Sequence, residues 1–301
     1  MKRGCAAVLV ACGIGAGLWG CEGRMPWESS RDKPEVKADA SGKAAPNFVD
    51  VAREYNLRVA GLERLSAWSN IKLTYFDEDG KPRTEEPEGR LQIVRPSKLA
   101  LTLGKAGQTL FWFGSDAERY WWIDLTDKAK PIVAVGTHEK FDDSAAKRIG
   151  LAIQPLDLIR LVGVVPINTV APGATQWSRD GKQLGVTSAL ENRGFQRIWM
   201  DPLTYTPAEI EIFDSQRKLV LTAAHEGSVV VELTRKPSAP LVATPRVPGR
   251  VFVTHYDSGT EVRLTLTGAK DGPISDKAFD LQELLSRFQV ERVVDVDARK
   301  P

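Results

Sequence analysis

His138, His225 and His255 are the only imidazoles in the chain, and no two of them fall at a spacing that would put both on one element. A zinc site needs three or four converging ligands, so these three do not announce one. His138-Glu139 followed by Asp142-Asp143 could touch a cation, but reads better as a solvated charge run in a loop. Asp77-Glu78-Asp79-Gly80 opens like a calcium loop, yet lacks the later ligand positions and the closing glutamate, and reads as a turn. All three cysteines, Cys5, Cys12 and Cys21, lie near the start, so the rest of the chain has no thiol nucleophile, disulfide or cysteine metal site. There is no Gly-x-Ser-x-Gly elbow, phosphate-cradling loop or dinucleotide fingerprint. The carboxylate pairs Glu85-Glu86 and Glu209/Glu211 belong to a loop and to the polar side of a strand. These residues predict a binding or structural protein, not an enzyme, with no metal and no cofactor.

The cysteines suggest lipid chemistry instead. Residues 1–20 run from a basic Lys2-Arg3 start through an uncharged stretch of small and aliphatic residues to a cysteine, the layout of a signal peptide. The stretch from Gly4 to Gly20 is too short and too rich in Gly and Ala to be preferred as a spanning helix, which wants about 20 strongly apolar residues. Leu18-Trp19-Gly20-Cys21 resembles the bacterial lipobox, with Trp19 bulkier than the pattern, and Cys21 is the expected lipidation site. Leu9-Val10-Ala11-Cys12 competes, but leaves a short apolar core. Residues 21–46 are polar and rich in Pro, Ala and Ser, the composition of a flexible tether, with a reach on the order of 27 Å. Without Lys2 and Arg3 the remaining 39 basic residues equal the 39 acidic ones, which gives no basic field for nucleic acid.

The elements that must carry any binding surface lie in residues 47–301, read as one domain. Phe48, Val51, Ala52, Tyr55, Val59, Leu62 and Leu65 recur at helical spacing behind a capping Asn47, which predicts one helix of about five turns. From Ile71 the period becomes two, and short polar connections separate strands at Leu91–Val94, Leu99–Leu103, Leu110–Phe113, Tyr120–Leu125 and Ile132–Val135. Such connections predict an antiparallel meander. A helical stretch follows between about 141 and 167, including Pro155 near a start and Gly163 at an end. A second meander is expected at 183–187, 195–201, 209–213, 219–223 and 229–233. Pro237, Pro240, Pro245 and Pro248 then mark a crossing segment, before two more strands and a short helix at Leu281–Phe288 close the same sheet.

The run TLFWFGSDAERYWWID, Thr109 to Asp124, carries six of the 23 aromatic residues, and neither of its strands alternates with polar residues. Both faces of this hairpin therefore need apolar cover. Pairing Phe113 with Arg119 across the hinge would set Phe111 opposite Trp121 and Leu110 opposite Trp122. The Trp121-Ile123 face is then the better candidate to line a cavity. Aromatic clusters on strands also suit sugar stacking or a packed core.

The order of helix, meander, helical insert, second meander and late helix resembles the periplasmic lipoprotein-sorting proteins of the LolA/LolB type. So do the phrases GRLQIVRPSKLALTLGK (89–105) and RIWMDPLTYTPAEIEIFDSQRKLVLTAA (197–224). The resemblance implies a mainly β (α+β) fold, a half-open antiparallel β-barrel with covering helices and an apolar interior for acyl chains, without catalysis. Leu101, Leu103, Phe111, Phe113, Trp121, Ile123, Ile198, Leu264 and Leu266 are the expected lining. An anchored member would be like LolB, which uses a hairpin loop with an exposed leucine, but the loops at 77–89, 104–108 and 114–118 have no apolar tip. The arginine that latches the lid in the soluble carriers is matched to no residue. Glu22 after Cys21 is not the aspartate of inner-membrane retention, which favours the outer membrane, facing the periplasm. The expected function is a membrane-anchored lipoprotein binding lipid or lipoprotein acyl chains. The alternative is an envelope scaffold or stress sensor of the same fold with a protein partner, whose interior would be filled by its own side chains.

Overall fold

The computed structural model describes residues 42, 44–76, 80–141, 153–190, 194–234 and 244–298. The expected signal peptide, the expected lipidation site Cys21 and nearly all of the expected tether lie outside them, as do part of the expected central helical stretch (142–152) and Pro237 and Pro240.

Helix α1 (Phe48–Val59) starts where Asn47 accepts a hydrogen bond from the Val49 amide. It is shorter than the periodicity predicts: the chain turns at Ala60-Gly61, and Leu65 already belongs to strand β1 (Arg64–Phe76). A glycine inside the turn costs the helix about 1 kcal/mol relative to alanine, while Leu62 and Leu65 reach the same core from outside the helix. The first meander follows as β2 (Pro82–Glu85), β3 (Glu88–Val94), β4 (Lys98–Lys105), β5 (Gln108–Ser115), β6 (Arg119–Asp124) and β7 (Ile132–Thr137). Helix α2 (Pro155–Leu161) has proline in its first turn and is followed by Gly163 at φ +75°. The second meander is β8 (Gly173–Trp177), β9 (Leu184–Leu190), β10 (Gly194–Met200), β11 (Pro207–Phe213) and β12 (Leu219–Glu226). The segments β13 (Val229–Val230) and β14 (Arg246–Val247) pair with each other in a separate ribbon, so the strand expected at 229–233 does not extend the large sheet. The hairpin β15 (Arg250–His255) and β16 (Thr260–Lys270), helix α3 (Leu281–Phe288) and strand β17 (Arg292–Asp295) complete the described chain.

The large sheet has 15 strands in the order β17-β7-β6-β5-β4-β3-β1-β16-β15-β12-β11-β10-β9-β8, with β2 paired to β1. Its end strands β17 and β8 do not meet, so the sheet is an open half-barrel. The late hairpin does not close an edge: β16 pairs with β1 and β15 with β12, which joins the two meanders at the centre. Two edge strands were not expected. β8 is an addition to the second meander, and β17 lies parallel to β7, reached by a crossover that includes α3.

Each face has its own core. The inner face presents Leu65, Leu91, Ile93, Leu99, Leu101, Phe113, Ile198, Ile210, Leu264 and Leu266 to Tyr55 and Val59 of α1 and Ile159 and Leu161 of α2. The opposite face, over β4 to β7 alone, presents Ala100, Trp112, Trp121, Ile123 and Val133 to Phe279, Leu281 and Leu284 around α3.

Candidate functional site

The β5–β6 hairpin sets which residues face inward. The Asp116 carboxylate accepts hydrogen bonds from the amides of Glu118 (2.8 Å) and Arg119 (2.7 Å), and the Asp116 amide donates to the Arg119 carbonyl. This tight turn pairs Ser115 with Tyr120, Phe113 with Trp122, Trp112 with Ile123 and Phe111 with Asp124. The register differs from the Phe113–Arg119 pairing by three residues, an odd shift, and an odd shift exchanges the two faces of a strand. The expected Trp121-Ile123 cavity face is thereby corrected. Trp121, fully buried, and Ile123 lie under α3, on the side away from Leu101 and Phe113. Gly114 makes room for this: a Cβ there would come within 2.5 Å of the Trp121 ring nitrogen.

The other expected lining residues divide by depth on the inner face. Leu101, Phe113, Ile198, Leu264 and Leu266 are buried under the covering side chains. One row further along the strands, Ser69 pairs with Gly89, Gly89 with Leu103, and Leu103 with Phe111. Leu103 and Phe111 are half-buried, and Phe111 stacks on half-buried Trp122 with ring centroids 4.9 Å apart. Leu103, Phe111 and Trp122 thus form one half-buried apolar margin of the inner face.

The cover is fastened at the carboxyl end of α2, where a helix leaves its last carbonyls without intrahelical partners. The His225 Nε2 lies 2.6 Å from the Leu161 carbonyl. The Gly163 carbonyl accepts from Arg58 Nη2 (2.7 Å) and Tyr55 Oη (3.2 Å), and the Val164 carbonyl from Arg95 Nη1 (3.3 Å). Asn56 exchanges two hydrogen bonds with the Ile167 backbone, at 2.9 and 2.7 Å. Two guanidinium groups also complement the negative end of the helix dipole. Gly163 is required, since a Cβ there would meet His225 and Pro207 at 3.1 Å. Burial lowers the His225 pKa to about 4, with Arg58 adding to the effect and the carbonyls of Leu161 and Pro207 opposing it. The ring is therefore neutral, and the shorter contact places its proton on Nε2. Burial raises the Tyr55 pKa, which keeps the phenol a donor.

Of these latch residues, Tyr55 was legible as a core position and His225 as an isolated histidine. Arg58 and Arg95 carried no signal, because an arginine that bonds distant carbonyls looks in sequence like any surface arginine. The β10–β11 hairpin also has the apolar tip that the segments 77–89, 104–108 and 114–118 lack in sequence. Leu203 is 86% exposed, on a turn where the Asp201 carboxylate accepts from the amides of Leu203 (2.9 Å) and Thr204 (2.8 Å). Hydrogen bonds from Thr204, then Leu203, hold that carboxyl below its usual range.

Among the described residues, no three His, Cys, Asp or Glu side chains gather as a metal site, and no helix is long and apolar enough to cross a membrane. What the geometry defines is an open β half-barrel with an apolar inner face under a polar-latched helix. Among solved structures, the chain is similar to a domain named for outer membrane lipoprotein sorting, from Vibrio parahaemolyticus. The TM-score is 0.54 at 13% identity, over 80% of this chain and 98% of that one. A LolA superfamily protein from Nitrosomonas europaea aligns over 79% of this chain and 99% of its own, at 12% identity and a TM-score of 0.49. No protein-family model matches the chain, and no curated protein matches it. The chain has a LolA-like fold.

Proposed function

We propose that this chain is a bacterial envelope lipoprotein, anchored through Cys21 and facing the periplasm from the outer membrane, whose half-barrel takes up an acyl chain of a lipid or lipoprotein. Its function is binding, not catalysis. The observation that carries the reading is the latch: an apolar inner face lies beneath a helix whose carboxyl end is fastened by a few polar contacts. Arg58 and Arg95 take the part of the lid-latching arginine. An entering chain would displace α2 and extend along Leu101, Phe113, Ile198, Leu264 and Leu266, starting from Leu103 and Phe111. Leu203 would touch the bilayer during exchange. Solvent extraction of the purified full-length chain followed by mass spectrometry tests this. A co-purifying acyl lipid is expected, and a lipid-free protein that also takes up no fluorescent fatty acid would overturn it.

A second reading rests on one observation, the near-complete burial of that inner face by the protein's own side chains. An envelope scaffold or sensor that grips a protein partner has no need of a cavity. A stable partner in a pull-down against envelope proteins, together with no lipid uptake, would favour this version.

A further inference from the structure

The outer face of the sheet, away from α2, carries an open cleft of about 470 Å³ where β1, β3, β16 and the β4–β5 turn meet. Its floor includes Asn70, Lys72, Glu88, Arg263 and Thr265, with Lys105 at the rim. The pairings Asn70 with Thr265, Lys72 with Arg263 and Asn70 with Glu88 put these side chains on one face. Trp68, two residues before Asn70 on the same strand face, continues the surface.

Trp68 is 64% exposed on a central strand, where most of its aromatic surface is left unpacked. The indole lies over Gly268, which has φ +58° and whose added Cβ would meet the ring at 3.4 Å. Arg90 flanks the ring at 5.8 Å and is itself held by a 2.8 Å bond from its Nε to Ser66 Oγ. With Gly268 beside it and Arg90 over it, the indole remains largely exposed, a stacking platform. The charges of the cleft are unevenly spent. Lys72 is paired with Glu86 at 3.1 Å and Lys105 with Glu85 at 2.9 Å. Arg263 lies over the Phe252 ring at 4.8 Å and has no ion pair among the described residues. Its planar donors suit a carboxylate; its cross-strand neighbour on β1 is Lys72, while Glu86 and Glu88 elsewhere in the cleft lining disfavour a polyphosphate and accept from hydroxyl groups.

We propose that this cleft binds an acidic oligosaccharide, with one sugar ring stacked on Trp68, hydroxyl groups bonded to Asn70, Glu88 and Thr265, and a sugar carboxylate on Arg263. From Trp68 to the level of Arg263 is four strand residues, roughly 13 Å at about 3.3 Å per residue, so more than one ring is required. The site is independent of the acyl-chain reading, being on the opposite face of the sheet.

Titration of the full-length chain with an oligogalacturonate tests the proposal, with a neutral maltooligosaccharide and inorganic phosphate as comparisons. Saturable binding is expected, weaker for the neutral sugar and not displaced by phosphate. Trp68→Ala and Arg263→Gln should each weaken it by roughly tenfold, about 1.4 kcal/mol, while Arg263→Lys retains part of it. Both side chains lie on the sheet surface, so thermal unfolding and fatty-acid uptake should stay as in the wild type. Absence of saturable binding by the wild type, unchanged binding by either Trp68→Ala or Arg263→Gln, or displacement by phosphate would overturn it.

Discussion

Strands β4 to β7 are covered on both faces, and the two covers are built differently. On the outer face, α3 is capped by Asp280, which accepts from the amides of Gln282 (2.9 Å) and Glu283 (3.1 Å), and it buries Leu281 and Leu284 against Trp112, Trp121 and Ile123. On the inner face, α2 lies over Leu101 and Phe113, and its carboxyl end is held by side chains reaching from α1, β12 and the segment after β3. A cover held by dispersed apolar contact resists removal, because every buried group must be exposed at once. A cover fastened at one end by separable polar bonds has a place to begin opening. Under the proposed function, the α3 side is the permanent cover and the α2 side, although Leu158, Ile159 and Leu161 are buried there too, is the one that opens.

Substitutions should separate the two. Trp121→Ala should have the largest effect, a loss of about 3–5 kcal/mol measured by urea unfolding, since it empties a fully buried site. Its effect on acyl-chain affinity should be small. Next comes pH. The folded-state pKa of His225, about 4, lies below the ordinary 6.5, so the unfolded state binds the proton more readily. Its contribution is complete above pH 6.5, is lost as pH falls towards about 4, and changes no further below that. The loss is at most roughly 3 kcal/mol at about 1.36 kcal/mol per pH unit. His225→Gln should flatten that part of a stability-against-pH curve. Arg58→Ala combined with Arg95→Ala should cost about 1–3 kcal/mol, and hydrogen exchange should quicken in α2 while α3 is unaffected. Equal quickening in both helices would break the comparison. The smallest stability effect belongs to Leu103→Asp at the half-buried row, which thermal unfolding should register weakly.

The periodic elements were readable because a strand or helix buries residues at its own period. The hairpin faces were not, since the Asp116 turn sets a register three residues from the one assumed, and nothing in Phe111-Trp112-Phe113 distinguishes inward from outward. The length of α1 was obscured because Leu62 and Leu65 happen to continue its spacing. β17 was missed because Arg292–Asp295 is short and exposed throughout. Of the latch, only Tyr55 and His225 could be noticed, since the Arg58 and Arg95 partners are carbonyls about 105 and 69 residues away in the chain.

The central claim is that the inner face, entered at Leu103 and Phe111, accepts an acyl chain. Titrating the full-length chain with a fluorescent fatty acid tests it most directly, with the wild type compared to Leu103→Asp. Saturable binding by the wild type, weakened roughly tenfold or more in Leu103→Asp by placing a charge in an apolar path, is the expected result. No saturable binding, or equal binding by Leu103→Asp, would contradict it.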